Sequence, residues 1–125
     1  MSKMMAVLLN DIAQLEYDRE KPLTDYQATY LVKMDEKMDA GIELNGQAIA
    51  NPDLNQRSQF IAANLLDALK RNDESMSAAL CSYLADRLPD LKQIKITEQD
   101  ENVTIDMVFN EEYVKQVAVD MPKLH

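Results

Sequence analysis

The sequence predicts an α+β fold of about four helices followed by a small antiparallel β-hairpin or three-stranded meander. Three observations carry that reading. Apolar residues recur at helical spacing in four stretches before Pro89. Helix-capping signatures open three of those stretches. After Pro89 the apolar period changes from 3.6 to 2. Residues 1–125 read as a single domain, helical over 1–89 and β over 90–125, with no repeat, low-complexity tract or linker between the parts.

Residues 3–20 read as the first helix, because Met5, Leu8, Ile12 and Leu15 follow 3-4-3 spacing. Lys21-Pro22 ends it, since the residue before proline avoids helical geometry. Thr24 and Gln27 form a capping box that opens the second helix. Along it Tyr26, Tyr30, Met34 and Met38 recur every four residues, and Gly41 suits its C-terminus. Asn45-Gly46, between short flanks in 42–49, is a hairpin signal or an ordered loop. Asn51 and Pro52 occupy N-cap and first-turn positions of a third helix, striped by Leu54, Ser58, Ile61, Leu65 and Leu69. Asn72 or Asp73 caps a fourth helix, whose buried face is Met76, Ala79, Leu80, Tyr83, Leu84 and Leu88. The short connection makes these last two an antiparallel pair.

Beyond Pro89, Ile94 and Ile96 mark one strand, and Val103, Ile105, Met107 and Phe109 mark the next. The polar segment 98–101 turns between them. Residues 112–120 read as a third strand, by valine content, or as a short helix capped by Asn110.

Composition bounds function as well as fold. Hydrophobic residues make up 46% and charged residues 28% of the chain, an ordinary globular balance that supports one core without disulfide or metal staples. The net charge of −9 opposes phosphate backbones and anionic bilayers, so direct nucleic-acid and membrane binding are not expected. Basic proteins or cations are the partners that such a charge permits. One cysteine gives no intramolecular disulfide. Lys3 and the apolar run 4–9 stop at Asn10-Asp11 without a small-residue cleavage site, so they do not read as a secretory signal. No stretch reaches the length of a membrane span. Met1 suggests a complete reading frame, and a cytoplasmic location is the expectation.

Reactive chemistry has little raw material. Two glycines allow neither a P-loop nor a dinucleotide fingerprint, and no Gly-x-Ser-x-Gly elbow occurs. Cys81 falls within the fourth helix beside its apolar stripe and reads as a small hydrophobe. His125, the single histidine, has no metal-ligand partner at motif spacing. Asp100, Asn102, Thr104, Asp106 and Glu111 match the oxygen offsets of a calcium loop, but Ile105 stands where glycine is required. Asp35, Glu36 and Asp39, interleaved with Lys33 and Lys37, read as a solvated, ion-paired helix face. Asn102-Val103-Thr104 matches a glycosylation sequon by chance, given the absent signal.

No catalytic residue, cofactor or metal is therefore expected. The function that follows is a small acidic protein-interaction or regulatory module, self-associating as a homodimer or binding another protein. Its candidate contact residues are Tyr26, Tyr30, Met34 and Met38, because tyrosine and methionine are enriched at interfaces. One alternative is an acidic mimic or inhibitor that covers a basic protein surface. Another is an enzyme or small-ligand binder with a site assembled from scattered carboxylates and tyrosines.

Overall fold

The structure, a computed structural model, describes residues 4–114. Its elements run β1 (Met4–Leu9), β2 (Ile12–Asp18), α1 (Asp25–Asp39), β3 (Ile42–Leu44), β4 (Gln47–Ile49), α2 (Leu54–Lys70), α3 (Glu74–Arg87), β5 (Gln93–Gln99) and β6 (Asn102–Val108). Four strands form a mixed sheet in the order β2-β1-β5-β6, and β3-β4 form a separate hairpin. The class is α+β, but the arrangement of four helices followed by a small β tail is overturned. Among the described residues there are three helices and six strands, and two of the strands precede every helix.

The correction begins at residues 3–20, which form a hairpin and not a helix. Asn10 and Asp11 both take positive φ, 50° and 68°, and so make a two-residue turn that no right-handed helix can pass through. The apparent 3-4-3 stripe is dispersed. Met5 and Leu15 face the main core, Leu8 faces the opposite side of the sheet, and Ile12 is exposed beside the turn. β1 is a central strand covered on both faces, so its Met4–Leu9 run shows no alternation to betray it. β1 lies antiparallel to β2 and parallel to β5, with Ala6 opposite Gln93 and Leu9 opposite Ile96. The β1-β2 register slips between Val7 and Leu8, leaving Gln14 as the extra residue of a bulge.

The remaining signals place elements well. Thr24 caps α1 with the reciprocal bonds of a capping box, Gln27 N to Thr24 Oγ1 at 3.1 Å and Thr24 N to Gln27 Oε1 at 2.9 Å. Gly41 follows that helix at φ 114°, and a Cβ there would meet the Ile49 carbonyl oxygen at 3.3 Å. Asn45 and Gly46, φ 54° and 76°, turn the β3-β4 hairpin. The start of α2 differs from the expected Asn51-Pro52 cap. Asp53 is the N-cap and closes a capping box with Gln56, which satisfies two end donors at once. Asn72 takes φ 56° at the end of α2. Its N–H reaches the Leu69 carbonyl at 3.1 Å, and the Asp73 N–H reaches that of Ala68 at 2.9 Å, a Schellman closure. Asp73 then caps α3 through its side chain. β5 and β6 pair as expected, but β6 ends at Val108, and Phe109 is exposed. Residues 112–114 carry no regular element, and the rest of the 112–120 expectation lies outside the described residues.

The three helices contribute to one core over one face of the sheet. Met5, Val7, Ile94 and Ile96 meet Leu31, Met38, Ile61, Leu65, Tyr83 and Leu84 there. On the other face Ala6 and Leu8 are buried with Tyr113. Arg19, just past β2, ties the edge of the sheet to the end of α3. Its Nη1 donates to the Ala85 carbonyl at 3.0 Å, and its Nη2 donates to the carbonyls of Leu88 and Leu91. A cation at a helix C-terminus also meets the negative end of the dipole. Arg19→Met keeps the stem but removes these donors, and should lower stability by about 2 kcal/mol. Urea unfolding checks this: the midpoint falls and the slope stays unchanged.

Candidate functional site

The Tyr26-Tyr30-Met34-Met38 row does not stay on one face. A spacing of four residues advances 400° around a helix of 3.6 residues per turn, so the row drifts about 40° per step. From Tyr26 to Met38 the drift reaches about 120°. Met38 is 3% exposed and Met34 packs on the core, whereas Tyr30 is 36% and Tyr26 82% exposed. The first half of α1 thus presents tyrosines to the surface, and the second half is anchored.

Tyr26 and Tyr30 line a groove of about 520 Å³ between α1 and α3, opposite Met76, Ala78 and Ala79. A second groove, of about 590 Å³, lies between α1, α3 and the exposed edge of β2. Gln27, Ala78 and Ser82 border both, which makes the two a continuous trough. Ser82 forms part of its wall. Its Oγ donates to the Ala78 carbonyl at 3.0 Å and lies 3.0 Å from the Tyr17 hydroxyl. Asp73, Asp18 and Lys21 border the trough, as does the backbone of Glu16, whose carboxylate turns to the opposite face of the sheet and accepts from the Tyr113 hydroxyl. Met34 and Met38 line neither groove.

A second constellation sits where the helices meet. Asp35 of α1 accepts from the Tyr83 hydroxyl of α3 at 2.5 Å and from Arg57 Nη1 of α2 at 3.2 Å on one oxygen. Its other oxygen accepts from Arg87 Nε at 3.0 Å and Nη2 at 2.8 Å. Arg57 also donates to Asp39, to the Asp35 carbonyl and to the Pro52 carbonyl. Arg87 lies over the Tyr83 ring at 5.3 Å from its centroid. The expected pairing of this acidic face with Lys33 and Lys37 is thus corrected, since the partners come from two other helices. Sequence spacing could reveal only intrahelical pairs.

Burial opposes ionisation of Asp35, but hydrogen bonds from Tyr83, Arg87 and Arg57 and the charge of Arg87 outweigh it. The carboxyl is held below its ordinary value. Burial first, then the bond to Asp35, pushes the Tyr83 phenol up to about 12. Cys81 is wholly buried, and that burial pushes its thiol up to about 12. A thiol so placed is neither ionised nor reachable at neutral pH. Neither Asp35, Tyr83 nor Cys81 lines the trough.

Among the described residues no group of three or more histidine, cysteine, aspartate or glutamate side chains is placed to hold a metal. The calcium-loop offsets fall on the β5-β6 turn, on β6 and, for Glu111, beyond its end. The extended backbone spaces Asn102, Thr104 and Asp106 about 7 Å apart along one face, too far to enclose one ion. His125 lies outside the described residues. Among those residues, no helix is long and apolar enough to cross a membrane. No family model matches the chain, and no curated protein or solved structure matches it.

Two outcomes follow from this geometry. A carboxyl with a lower pKa in the folded state stabilises the fold above its unfolded value. It loses that contribution as pH falls through the folded value. Acidification below about pH 4 should therefore erode stability, with Asp35 contributing to the slope. Asp35→Asn should cost about 2 kcal/mol at neutral pH and flatten the acid limb, as read by urea midpoints across pH. Cys81 should react with a thiol reagent only as fast as the protein opens, and denaturant should release full reactivity.

Proposed function

We propose that the protein is a small acidic interaction module whose trough between α1 and α3 receives a basic amphipathic segment of a partner protein. The exposed Tyr26-Tyr30 rim above an apolar floor carries this reading. Tyrosine presents a large contact area at low entropic cost, and interface hot spots concentrate in such residues. Ala78, Ala79 and Met76 supply a floor that accepts apolar side chains, methionine by adapting its shape.

Charge selects the partner. Asp73 at one end of the trough and the chain's −9 charge favour lysine or arginine flanking the apolar anchors. A second copy of the chain would bring the same excess of negative charge, so this trough favours a different, basic protein. Binding is favoured over acid–base chemistry because the displaced protonation equilibria of Asp35 and Tyr83 belong to the helix junction and not to the trough.

A labelled synthetic helix of leucine and lysine serves as the probe, with a leucine–glutamate helix as control. The basic peptide should bind at low salt and weaken as salt rises. Tyr26→Ala and Ala78→Arg should each weaken it at least about tenfold. Tyr26→Ala should leave the unfolding midpoint within about 0.5 kcal/mol of the parent, because the side chain is exposed. Equal binding of the acidic control, or binding indifferent to both substitutions, refutes the proposal.

A further inference from the structure

The two edges of the four-stranded sheet are unequally protected. β2 carries the bulge at Gln14, and its far end is drawn onto α3 by Arg19. A bulged, twisted edge is a poor template for another strand. Among the described residues β6 has no bulge or comparable tie. Its seven residues keep unbroken register with β5 and include neither proline nor lysine.

The turn decides which main-chain groups β6 offers. Gln99 and Asn102 close a two-residue turn, so Asn102, Thr104, Asp106 and Val108 direct their N–H and C=O groups towards β5. Val103, Ile105 and Met107 direct theirs away from the sheet. Among the described residues no strand lies beyond β6. The side chains of these three residues lean towards the helical face. Val103 is 45% exposed, while Ile105 and Met107 pack against the core.

We propose that β6 pairs antiparallel with the β6 of a second copy about a twofold axis at Ile105, extending the sheet across the dimer. The sequence of the strand is self-complementary in this register. Ile105 faces Ile105 of the other copy, and Val103 faces Met107, so the apolar face continues from one core to the next. On the opposite face Thr104 meets Asp106, and the two Asp106 carboxylates do not meet. A twofold centred one residue later would set the two Asp106 carboxylates directly against each other. Pairing in the Ile105 register is isologous and closed, so it stops at a dimer. The −9 charge of each copy opposes association, and salt relieves that opposition. This is the reverse of the salt response expected for a basic segment in the trough, so the two surfaces are separable by experiment.

Sedimentation equilibrium of the full chain over concentration and salt tests the pairing. The expected result is a reversible dimer that tightens with salt, with slowed amide exchange at Val103, Ile105 and Met107. Thr104 is exposed on the face away from the helices, so its replacement leaves the monomer core intact. Thr104→Asp sets a carboxylate against Asp106 of the other copy at two equivalent places and should weaken the dimer about tenfold. Thr104→Lys should tighten it by a similar factor. A chain that stays monomeric at all concentrations and salts overturns the proposal, and so does a dimer indifferent to both Thr104 substitutions.

Discussion

The carboxylate of Asp35, gripped by Arg57, Arg87 and Tyr83, is the contact on which the helical layer depends. α1 buries only Leu31 and Met38, far less apolar surface than α2 or α3. Its attachment therefore rests heavily on one polar junction that touches both neighbours. The junction is economical because each participant answers another's need. The guanidiniums offset the cost of partly burying the carboxylate, and the carboxylate satisfies a phenol that burial would otherwise strand. Arg57 reaches the main chain at Pro52 as well, so the clamp also fixes the entry into α2.

The position of that clamp shapes the surface. Asp35 and Asp39 lie in the second half of α1, beside the buried Met38. The first half has no comparable polar clamp: Leu31 enters the core there, while Tyr26 and Tyr30 rim the trough. The open groove and the tight junction are thus two ends of one helix held unevenly. A helix with an apolar stripe along its full length would have closed the gap and left no recess for a ligand.

How much of this was legible follows from the kind of signal each element used. Capping boxes are local, and Thr24-Gln27 announced α1 correctly. The Asp53-Gln56 box was equally readable but was overshadowed by Asn51-Pro52. Period-two alternation announced β6, which has a semi-exposed face. It failed for β1, because a strand covered on both sides has no polar face to alternate with. The Asn10-Asp11 turn lacks the glycine that makes a two-residue turn legible in a sequence. The drift of Tyr26 to Met38 was calculable from helix geometry alone, although which end would be buried depended on α3. The Asp35 junction left no trace in spacing, since its members are brought together only by three helices folding. The scarcity of glycine had a structural counterpart that composition concealed. Asn10, Asp11, Asn45, Asn51, Asn72 and Asp100 all adopt positive φ, taking over conformations that glycine usually supplies. Few glycines therefore meant few phosphate loops, but no shortage of sharp reversals.

The parallel pairing of β1 with β5 also sets an order of events during synthesis. Ala6 is made long before its neighbour Gln93, with all three helices between them. The β1-β2 hairpin can form as soon as it emerges, but one side of β1 has no strand to join until all three helices have been made. The most apolar strand of the sheet must therefore wait, with its hydrogen-bonding edge open, until β5 has been made. Long-range closure of this kind is slow, and it leaves aggregation-prone surface exposed while it is pending. The hazard lies in the nascent state, and a ribosome-associated chaperone would find a strong target in the apolar strand Met4–Leu9.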